Sequence, residues 1–126
     1  MGELVRPQFN AEIAGVQGNG RYYYLVVEID GALRIRCARA PVDTLTQTYP
    51  TQINMRDVIH VRLWSTFIES TSGEAQMERL GGGYFVLGEE QVIIAGSSIY
   101  GREQGRERVA KALRRAYPGY RVFVVS

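Results

Sequence analysis

The sequence predicts an α/β domain of the α+β kind: a twisted, mixed sheet of about six strands packed between two helices. Three observations carry this expectation. Arg21 to Ile29 (RYYYLVVEI) is aromatic and β-branched almost throughout, as a buried strand is. Gly81 to Ala95 reads as two apolar runs returned on each other by Gly88-Glu89-Glu90, a hairpin. From Gln104 to Tyr117, Val109, Ala112, Leu113, Ala116 and Tyr117 fall on one helical stripe, and Pro118-Gly119 stops the helix before a last apolar run.

The remaining elements follow in order. Phe9 to Ile13 reads as a first short strand, and Gly15 to Gly20, with its Asn19-Gly20 step, as a turn. After the tyrosine-rich strand, Asp30-Gly31 turns the chain into Leu33–Ala40. There Leu33, Ile35 and Cys37 alternate with Arg34 and Arg36, and Arg39 lies near the charged face. Residues 41–54 are polar, hold Pro41 and Pro50, and read as a long loop. Asp57 to Thr71 fits either period. As a helix it aligns Ile59, Leu63, Phe67 and Thr71, with Trp64 and Ile68 beside them; as a strand, IHVRLW alternates equally well. The helix is favoured, with Asp57 as its cap and Ser72-Gly73 as its stop. Gln76 begins the strand that passes through Gly81-Gly82-Gly83 to Leu87. Gln91 to Ala95 returns it, and Tyr120 to Val125 closes the sheet. Glu107 and Lys111 form a favourable pair one turn apart, and Arg114-Arg115 complements the end of the last helix.

Composition bounds the function classes. The 126 residues make a single domain, 1–126, with 45% hydrophobic and 22% charged residues. The net charge of +2 gives no footprint for nucleic acid. Lys111 is the only lysine among 15 cations. Arginine suits bidentate grips on phosphate or carboxylate, although a bias in residue usage explains the excess equally simply. One cysteine, Cys37, and one histidine, His60, leave no material for an internal disulfide or a cysteine- or histidine-based metal site. No apolar run is long enough to cross a membrane, and MGELVRPQF lacks the apolar core of a signal peptide, so a cytoplasmic protein without membrane partners is expected.

One loop invites chemistry. Gly96-Ser97-Ser98-Ile99-Tyr100-Gly101 lies between a strand end and a helix, where free backbone N–H groups and the helix dipole favour an anion. A plain connection is the simpler alternative. For Gly81-Gly82-Gly83 the favoured reading is a bulge or a close approach of chains, with the run shaping the wall of a site.

Leu80-Gly81-Gly82-Gly83, the hairpin, then G-S-S-I-Y-G, then a helix ending A-Y-P-G-Y-R-V together resemble the Janus/Ocnus family of phosphohistidine phosphatases. The likeness is close over Leu80 to Phe123 and looser upstream, back to the Asn19-Gly20 turn. It implies a phosphohistidine-phosphatase-like fold and hydrolysis of the N–P bond of phosphohistidine without metal or other cofactor. The implied partner is a phosphohistidine-containing protein or a small phosphoramidate, met by a monomer. The family's catalytic histidine precedes its LGGG by about twenty residues at a helix start, which matches His60; Leu63-Trp64 matches the aliphatic–aromatic pair that follows. The family's phosphate loop matches Ser97, Ser98, Ile99, Tyr100 and Gly101, with either serine able to correspond to its serine. Imidazole chemistry suits the task, because a neutral ring attacks phosphorus or takes a proton from water and its conjugate acid protonates a leaving nitrogen.

Two departures matter. The family's lysine in the strand after the first turn corresponds to Tyr23, and its arginine directly after LGGG to Tyr84. Arg36 or Arg39 stands for a further family arginine, and Arg39 is taken as phosphate-binding, with Tyr23, Gly83 and Tyr84 as site wall. Either arginines such as Arg39, Arg56 or Arg102 supply the missing charge, or the chain is a catalytically weak or inactive phosphate-binding or regulatory module of the same fold. A neutral tyrosine hydroxyl stabilises charge less than a cation does.

Overall fold

The structure is a computed structural model that describes residues 11–40, 55–71, 73 and 76–125. Its eight elements run β1 (Ala11–Ala14), β2 (Gly20–Ile29), β3 (Ala32–Arg39), α1 (Met55–Ser70), β4 (Met77–Gly88), β5 (Gln91–Ala95), α2 (Arg106–Ala116) and β6 (Arg121–Val124). The six strands form one sheet in the order β1-β3-β2-β4-β5-β6. The sheet is mixed: β1 with β3 and β5 with β6 are parallel, and the inner pairs are antiparallel. The architecture is therefore α+β, as expected.

β2 sits at the centre and is buried on both faces, which explains its unbroken apolar run. Tyr22, Tyr24 and Val26 join Leu33, Ile35, Cys37, Phe85, Val92 and Ile94 under α2, whose Val109, Ala110, Ala112 and Leu113 complete that core. Tyr23, Leu25 and Val27 face the other way and meet Ile59, Leu63 and Phe67 of α1. The alternation of side chains along a strand thus places the two helices on opposite faces. The ambiguous segment 57–71 is helical, with the predicted Ile59, Leu63 and Phe67 buried and Ile68 half exposed. A spacing of four turned the apolar side chains to one side, and β2 supplied the surface to cover them.

Local expectations shift at the edges. β1 begins at Ala11, and the predicted Phe9, like the loop 41–54 and the stop residue Ser72, lies outside the described residues. Asp57 is the third residue of α1, not its cap, and its carboxylate takes a bond from Arg56 Nε at 3.1 Å. An acid in the first turn still favours the helix dipole. Glu107 lies 3.9 Å from Arg114. α2 starts five residues beyond Gly101, after Gly105 in the left-handed conformation (φ 71°), so the glycine–serine loop does not lead directly into a helix. Among the described residues no helix is long and apolar enough to cross a membrane.

The glycine run is where neighbouring groups leave no room for a side chain on β4. The register shifts between Val26 and Val27, opposite Gly81 and Arg79, which leaves Leu80 as the extra residue of a bulge. A Cβ on Gly82 would stand 2.1 Å from Tyr24 O, and one on Gly83 would stand 2.5 Å from Ala95 O and 2.8 Å from an Arg106 nitrogen. Backbone blocks the first position and a buried guanidinium the second, so neither can accept even a methyl group without moving the sheet.

Gly82→Ala is therefore expected to lower stability by ~3 kcal/mol or to prevent folding, because overpacking against backbone cannot be relieved by a rotamer change. Gly73, whose added Cβ would meet nothing within 4 Å, is the control. Gly73→Ala is expected to change stability by less than about 0.5 kcal/mol in urea unfolding. Similar losses in the two variants would refute the close-approach explanation.

Candidate functional site

His60 enters the sheet from α1. Its side chain is fully buried. Nε2 lies 3.0 Å from Tyr24 O and 3.1 Å from Gly83 O, and Nδ1 lies 2.8 Å from Arg56 O. Tyr24 and Gly83 are cross-strand partners, so one imidazole ties β2 to β4 beside the glycine run. All three neighbours are acceptors. The neutral ring with its proton on Nε2 can donate to the two strand carbonyls and leaves Nδ1 facing a third; only the imidazolium could donate from both nitrogens. Burial nevertheless pulls the His60 pKa below its ordinary value, and the Arg56 charge adds to this, against the opposing pull of the three carbonyls.

The opposite face has a matching device that the sequence did not announce. Arg106, in the first turn of α2, is buried with Glu103. Its Nη2 donates to Glu103 Oε1 at 2.7 Å and its Nε to Oε2 at 3.1 Å. Nη2 also reaches Gly96 O at 2.8 Å and Gly82 O at 3.3 Å. Tyr24 Oη donates to Glu103 Oε2 at 2.6 Å, and its pKa is raised, by burial first and then by the Glu103 carboxylate. Arg106 Nη1 is buried without a hydrogen-bond partner. An arginine three residues after an acid at a helix start reads as solvated surface. What marks it is Gly83, which leaves the guanidinium room against the sheet.

The Ser97–Gly101 loop closes on itself. Ser98 N donates to Gly101 O at 3.3 Å and Gly101 N to Ser98 O at 2.9 Å. Ser98 Oγ donates to Gly101 O and accepts from Tyr100 N at 3.0 Å. Gly82 N, in β4, also donates to Gly101 O. Three of the amides expected to hold an anion are thus spent within the loop, and the Ser98 hydroxyl with them. Ile99 is exposed at the loop tip, while Tyr100 packs toward Trp64 on the α1 side. Arg79 stacks on both of these rings, 3.8 Å from the Tyr100 centroid and 4.9 Å from that of Trp64.

Of the predicted site residues, His60, Tyr23, Gly83 and Tyr84 come together on the α1 side. The Tyr23 and His60 rings lie 5.5 Å apart, and Tyr23 pairs with Tyr84 across the strands. The loop joins them through Gly96, where an added Cβ would meet the Tyr84 ring at 2.6 Å. Arg39 is not brought there. It lies over Tyr22 on the α2 side, bonded to Tyr22 Oη and to the carbonyls of Gln17 and Asn19, so it braces the β1–β2 turn. The cation beside the tyrosines is Arg21, which sequence reasoning missed. Its guanidinium stands 4.4 Å from the Tyr84 ring centroid and 5.8 Å from that of Tyr23. Arg21 shares the parity of Tyr23 along β2 and was legible from that alone.

Among the described residues, Arg21 has no ion pair and the hydroxyls of Tyr23 and Tyr84 have no hydrogen-bond partner. No group of three His, Cys, Asp or Glu side chains among them could hold a metal ion. Burial pushes the Cys37 thiol up to about 12, so it is neither a thiolate nucleophile nor a ligand in this state. Comparison with protein-family models and with curated proteins returned no match.

Two outcomes test this arrangement. Glu103→Leu strands the buried Arg106 charge and is expected to cost ~3–5 kcal/mol. Tyr24→Phe removes one donor and leaves the ion pair intact, costing ~1 kcal/mol. Equal losses in denaturant unfolding would show that the ion pair does not dominate. For His60 the folded pKa lies below the unfolded one, so above the ordinary value of 6.5 its contribution to stability is complete. As pH falls below that value the unfolded chain takes up the proton first, and the contribution shrinks until the folded value is passed. The stability advantage of the wild type over His60→Gln is therefore expected to be larger at pH 8 than at pH 5. An advantage that grows on acidification would mean an imidazolium in the fold.

Proposed function

We propose that this chain is a phosphate- or phosphopeptide-recognising module of the phosphohistidine-phosphatase-like fold, catalytically weak or inactive. The supporting observation is the exchange of roles around two tyrosines. His60, the residue expected to do the chemistry, is buried and bound by three backbone carbonyls. A histidine so placed has both ring nitrogens occupied by backbone carbonyls and no exposed surface, whereas nucleophilic or base catalysis needs reach and alignment.

The charge needed for recognition is present at another position. Tyr23 and Tyr84 stand where the family places a lysine and an arginine, and the guanidinium of Arg21 spreads over both rings. A phosphoryl group approaching this point would meet charge-assisted donors from Arg21 and neutral donors from the tyrosine hydroxyls. The rings hold the guanidinium in place by cation–π attraction worth about 0.5–1 kcal/mol at an exposed site. The ligand is a phosphohistidine-bearing segment or a small phosphoramidate.

The test is titration of the protein with a phosphohistidine peptide, followed by amide NMR and by release of inorganic phosphate. Saturable shifts at Arg21, Tyr23, Tyr84 and Ser97 are expected, with phosphate release no faster than spontaneous hydrolysis. Arg21→Ala is expected to weaken binding about tenfold, the worth of one charge-assisted contact. Turnover abolished by His60→Ala would replace this reading with the enzyme, and absence of any shift would refute both.

A further inference from the structure

α1 packs mainly on β2 and β3 and reaches β4 near Gly83, where His60 bonds the strand. Among the described residues no helix lies over the rest of that face, from Val86 of β4 across β5 to β6, and the pairing registers show what lies on it. Val86 stands opposite Ile93, and Ile93 opposite Phe123, so one apolar row crosses the three strands. Val86 is 38% exposed and Phe123 46%, and Val125, next along that face of β6, is 50% exposed. The row has a cation at each end of the face. Arg21 pairs with Val86 from β2, and Arg121 precedes Phe123 by two residues on β6 and shares its face. Among the described residues neither arginine has an ion pair. Arg121 N donates to Glu90 O in the β4–β5 turn, and among the described residues neither Glu89 nor Glu90 forms an ion pair with the Arg121 guanidinium.

β6 is also an edge strand. Arg121 N donates to Glu90 O and Val125 N to Ile94 O, so the odd-numbered amides of β6 face β5. The amides of Val122 and Val124 therefore point outward, and the described contact to that edge is a long 3.5 Å approach of Arg114 Nη2 to Val122 O. Unpaired strand edges accept an added strand, with backbone bonds supplying affinity and alternating side chains supplying selection.

We infer that the free edge of β6, together with the apolar row and Arg121, docks an extended acidic–apolar segment of a partner protein by strand addition. An apolar side chain of the added strand would lie against Phe123 and extend the Val86–Ile93–Phe123 row. A carboxylate one position on along the same face would meet Arg121, and the backbone would pair with Val122 and Val124. Charge selects the occupant: a face with two unpaired arginines and no paired acid attracts an acidic segment and disfavours a basic one. This surface shares Arg21 with the phosphate site, but Phe123 and Arg121, on which its test rests, take no part there. Loss of one function leaves the other measurable.

The probe is a capped synthetic peptide with a Val-Phe-Val core flanked by glutamates, and its twin with lysines in their place. Binding is read by fluorescence anisotropy and amide NMR on the whole chain. The acidic peptide is expected to bind saturably, to shift Val122 and Val124, and to slow hydrogen exchange at those amides. The lysine twin is expected to bind at least about tenfold more weakly. Arg121→Glu and Phe123→Ser alter exposed positions and are each expected to weaken the acidic peptide about tenfold, without changing the unfolding midpoint appreciably. Equal binding of the two peptides, or no shift on β6 with either, would overturn the inference. So would concentration-dependent dimerisation in sedimentation that Phe123→Ser abolishes, since a second copy of the chain would then occupy the edge.

Discussion

The close approach of neighbouring groups at Gly82, against the Tyr24 carbonyl of β2, and at Gly83, against the Ala95 carbonyl of β5 and the Arg106 guanidinium, is the constraint on which the rest of this structure depends. With no side chains at these positions, two polar groups reach the sheet backbone from opposite faces. His60 arrives from α1 and bonds the carbonyls of Tyr24 and Gly83. Arg106 arrives from α2 and bonds those of Gly82 and Gly96. Each helix is thereby fastened to the strands at a defined point, in addition to its apolar stripe. Non-directional packing alone would allow either helix to slide, whereas hydrogen bonds to named carbonyls set its position. The buried ion pair with Glu103 adds directional specificity at a desolvation cost that the hydrogen bonds of Tyr24 and the strand carbonyls offset.

The same constraint separates structure from recognition. His60 joins two strands, is buried, and has both ring nitrogens against backbone carbonyls. The adjacent surface is chemically open. Arg21 lies over Tyr84 and Tyr23 at one end of a sheet face that no helix covers among the described residues, and Arg121 stands at the other. On the reading proposed above, polar ends joined by an apolar row serve recognition of another molecule.

Much of the fold was legible in the sequence because local periods and the tertiary surfaces agree. The tyrosine-rich run, the β4–β5 hairpin and the stripe of α2 each bury the side chains that their spacing picks out. Segment 57–71 was ambiguous because IHVRLW satisfies both periods, and only the apolar face of β2, distant in sequence, settles it. The reading of the glycine run as a close approach also holds, since Gly is the one residue that leaves room for a neighbouring backbone. The site was less legible. Arg106 looks like a surface residue and is buried, because the space it fills is made by Gly83, some twenty positions earlier. Arg39 looks free and is held by the turn carbonyls. The loop amides look available and are consumed by Ser98 and Gly101, a closure that needs both the Ser98 hydroxyl and the backbone angles of the turn.

His60 is a neutral, buried strap between β2 and β4. Nitrogen-15 NMR of the imidazole at pH 7 tests it most directly. The expected result is a ring protonated on Nε2 alone, with that proton exchanging slowly enough with solvent to be seen coupled to the carbonyls of Tyr24 and Gly83. An imidazole that exchanges rapidly with water and titrates near its ordinary pKa would contradict the claim, and would return His60 to the surface as a candidate for catalysis.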